Sequence, residues 1–227
     1  MPPGPAPAKA SRVIRAFVFD IGNVLLRFDF AHAIERLEAH CTLGDRAVLD
    51  LIEPIKREYE SGRINRTDFQ REVRAVLRYT GTDPDFVSAW VDIFTENEPM
   101  TEVVRQLHGR YPLHLLSNTS DLHMEYIRQT YPVFGLFARG VYSYEVRAFK
   151  PEREIFEIAI RELEVVPEDT LFIDDLAPNI EAARECGFQV WLYDWRDHGA
   201  FLQELNRLGV VLSSDPSGQT SDAAQRS

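Results

Sequence analysis

Lysine is scarce in this chain. Of the 25 basic residues only Lys9, Lys56 and Lys150 are lysines, and the formal net charge is −11. Proteins that bind nucleic acid need clustered Lys and Arg against the phosphate backbone, so the acidic balance argues against a nucleic-acid partner. A small phosphate ester responds only to the local field of its site and stays compatible with this charge. A lysine beside a candidate site is therefore informative.

Cysteines and long apolar runs are also few. The two cysteines, Cys41 and Cys186, fall in different predicted regions without metal-ligand spacing. They favour free thiols in a reducing compartment. No run approaches the ~18 apolar residues of a membrane span. Residues 1–11, rich in Pro and Ala, lack the apolar stretch of a signal peptide. We therefore expect a soluble, cytoplasmic protein that has no membrane partner.

The remaining pattern alternates short apolar runs with helical periodicity, which predicts an α/β fold with a doubly wound, mostly parallel sheet. The predicted strands are Val13–Asp20, Leu113–Ser117, Gly140–Tyr144, Thr170–Ile173 and Gln189–Tyr193. The predicted helices are Thr101–Arg110, Asp121–Gln129, Pro151–Leu163, Ala177–Cys186 and His198–Leu208. Pro151 suits a first helical turn, and Gly187 suits a helix C-cap.

The stretch from Phe28 to Pro99 interrupts this rhythm. Its apolar residues recur at helical spacing, and no convincing buried strand is visible, so about four helices are expected there. The predicted organisation is a flexible tail over 1–11, an α/β core over 12–27 and 100–212, an all-α cap over 28–99 and a disordered tail over 213–227. A helical insertion beside the first strand can act as a lid.

Polar side chains stand at the carboxyl ends of several predicted strands, or just after them. They are Asp20, Ser117 with Asn118, Lys150, and the pair Asp174 and Asp175. In an open α/β sheet these ends converge on one crevice, where ligands bind. An aspartate, a hydroxyl, a lysine and two further carboxylates in one crevice indicate metal-assisted phosphoryl transfer.

Asp20 can attack phosphorus and hold Mg²⁺ through its other oxygen. The competing interpretation is a carboxylate that caps the following turn. Asp174 and Asp175 repel each other unless a cation lies between them and Asp20. We expect Asp174 to be the direct Mg²⁺ ligand and Asp175 to act through water or hydrogen bonds. Helix capping by Asp175 is the alternative for that position.

Ser117 and Asn118 end a strand and precede a helix, where hydroxyl and backbone N–H groups form an anion site. Ordinary helix capping is the alternative. Lys150 precedes Pro151, which fixes the chain just beyond it. An ammonium group there would neutralise phosphate charge, whereas the alternative is an exposed surface lysine.

Four segments resemble, in order and spacing, the motifs of the haloacid dehalogenase-like (HAD) hydrolases: Val18–Leu26, Leu115–Thr119, Phe149–Glu152 and Phe172–Asp175. The resemblance covers about residues 13–195. The resemblance implies a Rossmann-like core with a helical cap. It implies a phosphatase of a small phosphorylated metabolite, acting through a phosphorylated Asp20.

The same resemblance implies roles for the other residues. Asp20, the backbone at Gly22, Asp174 and Asp175 would hold Mg²⁺, while Ser117, Asn118 and Lys150 would bind the substrate phosphate. Lys150 would also assist catalysis. The Gly-Asn-Val sequence after Asp20 is similar to a bacterial sub-branch that includes an α-D-glucose-1-phosphate phosphatase.

Two positions depart from the family pattern. Most phosphatase members carry a general acid–base aspartate where this chain has Gly22, so proton transfer has no evident donor. This absence predicts a preference for aryl, acyl or anomeric phosphates over primary alkyl phosphates. Arg147 stands where relatives usually have glycine, and it is expected to alter the loop backbone or reach the pocket.

Further candidates carry weaker signals. His123 is the first alternative proton donor, although a packed or surface histidine is the commoner case. Asn179 is expected to fix the carboxylate loop. Tyr59, Arg63 and Trp90 are candidates to line a substrate pocket in the cap, with Trp90 better suited to the cap core.

Two other functions compete with the phosphatase. One is a dehalogenase that uses Asp20 against carbon without a metal. The second is a catalytically weak HAD-like binding or regulatory protein, supported by Gly22 and Arg147 alone. The presence of both Asp174 and Asp175 argues against the dehalogenase.

Overall fold

The computed structural model describes residues 13–38, 40–41 and 45–212. The two tails expected from the sequence lie outside the described residues. The strands are β1 (Ala16–Phe19), β2 (Leu26–Phe28), β3 (Phe94–Glu96), β4 (Leu113–Ser117), β5 (Arg139–Tyr142), β6 (Thr170–Asp174) and β7 (Gln189–Leu192).

Within the described residues, ten α-helices lie between and after these strands. They are α1 (Phe30–Glu38), α2 (Asp45–Glu60), α3 (Arg66–Leu77), α4 (Asp83–Val91), α5 (Glu98–Leu107), α6 (Asp121–Thr130), α7 (Ser143–Val146), α8 (Arg153–Leu163), α9 (Ala177–Glu185) and α10 (His198–Arg207). In the portion of the chain just defined, no helix is long and apolar enough to cross a membrane.

The main sheet is fully parallel, with strand order β5-β4-β1-β6-β7. The chain builds outwards from β1 in one direction and then returns to its other side, so β1 lies at the switch in strand order where α/β sheets bind ligands. Phe19 pairs with Leu115 of β4 and with Ile173 of β6. This register brings the residues after all three strands to the same edge.

Each face of the sheet has its own apolar core because neighbouring strand residues point to opposite faces. Phe17 and Phe19 contribute to one cluster with residues of α5 and α10. Val18 contributes to the other cluster with residues of α8 and α9. The predicted doubly wound α/β class is therefore confirmed.

Helices α1–α4, which we call the cap segment, pack around a third cluster that includes Phe69, Phe86 and Trp90. The expectation of helices alone in this stretch was incomplete, because β2 and β3 pair as an antiparallel ribbon at its two ends. These strands have three residues each and are partly exposed, so they lack the apolar run that marks a buried strand.

Several predicted boundaries need correction. The first predicted strand shortens to β1, which leaves Asp20 just beyond it. Helix α5 begins at Glu98, with Pro99 inside its first turn, where proline is favoured. Helix α8 begins at Arg153 rather than Pro151, because residues 150–152 form a turn.

Candidate active site

The geometric centre of the site is Lys150, which lies between two carboxylates. Its Nζ is 2.9 Å from Asp20 Oδ1 and 2.6 Å from Asp174 Oδ2. Lys150 is only 3% exposed, so the surface-lysine alternative is wrong. Burial alone would lower the pKa of Lys150, but contact with Asp174 and Asp20 holds that pKa above its usual value. The ammonium group is therefore charged at neutral pH.

The side chain of Asn118 positions Lys150 by binding the backbone of Lys150. Asn118 Nδ2 donates to Lys150 O at 2.9 Å, and Lys150 N donates to Asn118 Oδ1 at 2.8 Å. The side-chain amide of Asn118 is thus occupied by the Lys150 loop, which leaves its backbone N–H as the group available to an anion. The helix that follows is capped by Ser120, whose side chain accepts from His123 N.

Asp174 is fully buried and its two oxygens have several donors. Oδ1 accepts from Leu176 N at 2.8 Å and from Asn179 Nδ2 at 2.9 Å, and Oδ2 accepts from Asn179 as well as Lys150. The expected contact of Asn179 with the carboxylate loop is present. The side chain of Asp175 accepts a hydrogen bond from Asn23, whose Nδ2 lies 2.9 Å from Asp175 Oδ2.

Three carboxylates meet at this edge of the sheet. Asp20, Asp174 and Asp175 each offer an oxygen, and these oxygens all lie within 4.8 Å of one another. Their charge of about −3 faces one lysine, so one divalent cation would balance the cluster. Asp20 Oδ1, although close to Lys150, has no aligned hydrogen-bond donor. Carboxylate oxygens are the ligands that Mg²⁺ prefers, and the residues fit that ion.

Burial raises the pKa of Asp20 to about 6, opposed by Lys150 and reinforced by Asp174 and Asp175. Burial also raises the pKa of Asp175, opposed by the hydrogen bond from Asn23. Both shifts reflect negative charge held out of water. A cation in the cluster would favour the ionised forms that attack and coordination require.

A cavity of about 320 Å³ opens onto this cluster. Its core wall includes Ser117 at the end of β4 with Asn118 just after it, Asp20 and Gly22 after β1, and Asp175 after β6. Ser117 is 3% exposed at the end of β4. The predicted site residues that line this cavity thus come from the ends of β1, β4 and β6, and Lys150 joins them from the turn between α7 and α8.

The opposite wall comes from one face of α2, which the sequence analysis did not single out. Its residues are Glu53, Lys56, Arg57 and Glu60. Their spacing of three and four positions makes a stripe along one side of the helix. The other side carries Ile52, Ile55 and Tyr59 into the cap cluster. Such a stripe usually indicates a solvated face, which is why this signal was missed.

Tyr59, Arg63 and Arg147 line a separate cleft rather than the cavity at Asp20. Arg63 is exposed and pairs with Glu58 at 2.8 Å. Arg147 ends α7 with φ of +56°, the left-handed conformation in which relatives would place glycine. Trp90 is 2% exposed and belongs to the cap cluster. The cavity walls therefore do not include these cap candidates.

His123 lines the cavity but is committed to packing. Its ring stacks on Trp90 with centroids 5.6 Å apart, and its Nε2 lies 3.1 Å from Trp90 O. Burial lowers the pKa of His123 to about 4, opposed by that backbone contact. The imidazole is therefore neutral at pH 7, with its Nε2 proton donated to the carbonyl.

Residues 14–187 match the family of haloacid dehalogenase-like hydrolases. The chain belongs to this family. As a HAD-like hydrolase it is an enzyme of the hydrolase class, and the predicted resemblance is confirmed.

Individual relatives cover nearly the whole chain. The D-ribitol-5-phosphate phosphatase of Bacteroides thetaiotaomicron is 27% identical over 89% of this HAD-like hydrolase and 100% of its own length. A HAD family enzyme of the same organism, solved with magnesium and inorganic phosphate, has a TM-score of 0.72 at 25% identity, covering 83% and 98% of the two chains. A HAD-like hydrolase from Porphyromonas gingivalis has the same score and identity, covering 86% and 98%.

Proposed function

We propose that this chain is a Mg²⁺-dependent phosphatase of a small phosphomonoester. The observation that carries the proposal is the position of Lys150 between Asp20 and Asp174 in a three-carboxylate cluster. A metal-free attack on carbon would not need a buried Asp174 and a half-buried Asp175 beside Asp20. The magnesium and phosphate bound by one structural relative support the same chemistry.

In this proposal Asp20 is the nucleophile. An oxygen of its carboxylate attacks phosphorus, the phosphate ester bond breaks, and an aspartyl phosphate forms on Asp20. Water then attacks that phosphorus, which releases phosphate and restores the carboxylate. Lys150 stabilises negative charge on the transferring group, and Ser117 with the backbone N–H of Asn118 orients the phosphate.

For the metal we propose Asp20, the backbone at Gly22 and Asp175 as direct ligands. This reverses the expected order of the carboxylate pair, because both oxygens of Asp174 already accept hydrogen bonds. Asp174 instead holds Lys150 in place. When bound, Mg²⁺ would neutralise the cluster and polarise the phosphate.

For the substrate we propose a sugar or sugar-alcohol phosphate. The cavity has room for a small metabolite, and the charged face of α2 offers donors and acceptors to hydroxyl groups. The name of the D-ribitol-5-phosphate phosphatase supports this class. A cytoplasmic location remains a prediction, and the free Cys41 and Cys186 are compatible with it.

The test is hydrolysis of p-nitrophenyl phosphate and a panel of sugar and polyol phosphates, with Mg²⁺ and with EDTA. We expect activity only with Mg²⁺, and none in Asp20→Asn, which keeps the shape of the side chain. Acid-quenched wild type should carry one phosphoryl group on Asp20. Full activity in EDTA, or in Asp20→Asn, would exclude this mechanism.

A further inference from the structure

Gly22 leaves the site without the aspartate that would transfer protons to and from the substrate. An alkoxide is a poor leaving group, and a positioned acid typically contributes about 10²–10⁴-fold to its departure. A residue that replaces this acid must reach the cavity, be shielded from water and carry a proton at neutral pH.

Glu60, the last residue of α2, meets all three requirements. It lines the same cavity as Asp20 and is 8% exposed. Glu60 Oε2 lies 3.6 Å from Lys56 Nζ, a cation that Glu60 shares with Glu53. Burial raises the pKa of Glu60 to about 7, with Lys56 opposing and Glu53 adding to the shift. Glu60 therefore exists in both protonation states near neutrality.

The backbone of Glu60 is tied to the catalytic core. Ser143 Oγ, at the start of α7, donates to Glu60 O at 2.5 Å. The same Oγ accepts from Thr119 N at 3.0 Å, in the loop that follows Ser117. Ser143 is fully buried. The Ser143 hydroxyl thus links the C-terminal end of α2 to the loop after β4. This link fixes the position of the Glu60 backbone relative to the carboxylate cluster.

Other titratable groups on the walls are less suitable. His123 is neutral at pH 7, and its Nε2 proton is used by Trp90 O. Lys150 is held as a cation by two carboxylates. The side chain of Glu53 is 63% exposed, and both of its oxygens contact Lys56 Nζ. Asp20 and Asp175 belong to the carboxylate cluster.

We propose that Glu60 is the general acid–base of this enzyme, supplied by the cap segment in place of an aspartate at position 22. The inference rests on the proposed phosphatase function. As Asp20 attacks and the phosphate ester bond breaks, the leaving oxygen takes the proton of Glu60 and departs as an alcohol. The Glu60 carboxylate then takes a proton from water while the water oxygen attacks phosphorus. The bond between phosphorus and Asp20 breaks, and phosphate is released. The Asp20 carboxylate and protonated Glu60 are thereby regenerated.

This role predicts a specific pH dependence. kcat/KM for a primary alkyl phosphate requires protonated Glu60 in the free enzyme, so it should fall as pH rises above about 7. The charged or titratable groups that line the cavity with Glu60 are Glu53, Lys56 and Arg57 from α2 and Asp20, Asp175, Lys150 and His123 from the core wall. If this fall in kcat/KM at higher pH reports Glu60, it should be absent from the pH–rate profile of Glu60→Gln.

The decisive experiment compares leaving groups in Glu60→Gln. For ribitol 5-phosphate we expect kcat/KM to fall about 10²–10⁴-fold, the range for loss of a general acid. For p-nitrophenyl phosphate, which needs no acid, kcat/KM should fall about tenfold at most. Water attack should become rate-limiting there, giving a burst of one p-nitrophenolate per site and a phosphorylated enzyme. Glu58 lies on the same helix, is half-exposed and pairs with Arg63, and it is not among the described residues that line the cavity. Glu58→Gln is therefore the control and should behave as wild type.

Glu60→Asp, which keeps a carboxyl group, should recover part of the alkyl activity together with the pH limb. This variant also serves if Glu60→Gln folds poorly. Equal losses with both leaving groups, or no loss with the alkyl ester, would overturn the role of Glu60 while leaving the phosphatase intact. A wild type that hydrolyses neither ester would overturn the phosphatase and the role together.

Discussion

Asn23 Nδ2 donates a hydrogen bond of 2.9 Å to Asp175 Oδ2, which joins the loop after β1 to the loop after β6 across 152 positions in the chain. Asn23 has φ of +52°, in the left-handed region that asparagine tolerates better than most residues. The contact orients the carboxylate that we propose as a direct metal ligand. Outer hydrogen bonds of this kind tune metal affinity.

Replacing Asn23 with glycine isolates this contact, because glycine adopts the same backbone conformation and lacks the amide. We expect the Mg²⁺ concentration for half-maximal activity to rise about 10–100-fold, with kcat at saturating Mg²⁺ little changed. The measurement is a Mg²⁺ titration with p-nitrophenyl phosphate. An unchanged titration would show that Asn23 does not orient a metal ligand.

Lys150→Ala should reduce both activity and stability. Loss of a charge-stabilising donor costs on the order of 10²-fold or more in kcat/KM. The variant also leaves Asp174 and Asp20 buried without their cation, and breaking a buried pair costs about 3–5 kcal/mol. Urea unfolding without Mg²⁺ measures that cost. Arg153→Ala, which removes an exposed pair with Glu157, is the control and should change stability by less than about 1 kcal/mol.

Glu60→Gln should stabilise the folded protein at alkaline pH. The folded-state pKa of about 7 lies above the ordinary value of 4.5, so the folded state binds the extra proton between these limits. The free energy of unfolding of wild type therefore falls as pH rises through that range. The free energy of unfolding of Glu60→Gln should exceed that of wild type by on the order of 2–3 kcal/mol at pH 8 and by little at pH 4. Thermal melts at the two pH values would contradict this if the gain were equal in both.

Gly22→Asp should restore alkyl phosphate hydrolysis in the Glu60→Gln background by about tenfold or more, since it returns a carboxyl group to the usual position. The backbone at Gly22 does not require a positive φ. A Cβ there would lie 3.0 Å from Phe28 Cε1, and the ring must shift by a few tenths of an ångström. Phe28 is 41% exposed and has room to do so. The ratio of alkyl to aryl kcat/KM, compared across single and double variants, measures the rescue.

The strand ends were predictable because parallel strands must present their carboxyl ends on one edge of the sheet. Asp20, Ser117 and Asp174 follow buried apolar runs, and the register of β1 with β4 and β6 brings them together. The order of metal coordination that we propose for the two aspartates was not predictable from the sequence. It depends on Asn179 and Lys150 filling the oxygens of Asp174, which are contacts between distant parts of the chain.

Glu60 was hidden for a different reason. Charged residues along one face of an amphipathic helix have the same sequence pattern whether that face is turned to bulk water or lines a ligand cavity. Only the packing of α2 against the core decides this, and the hydrogen bond of Ser143 to Glu60 O has no signature in local sequence. Arg63, by contrast, was a candidate for the substrate pocket because of its charge, but it lines a different cleft.

The β2–β3 ribbon gives the cap segment one further property. Leu26 pairs with Glu96 and Phe28 with Phe94, so the chain leaves the core and returns to it at adjacent points. The residues between these two strands form one continuous insertion. Recombination at the ribbon would replace that insertion and leave the strand order of the main sheet unchanged. If Glu60 supplies the proton, such an exchange transfers part of the reaction chemistry along with substrate choice. A donor cap lacking an equivalent acid would then work only in a recipient whose first loop carries its own aspartate.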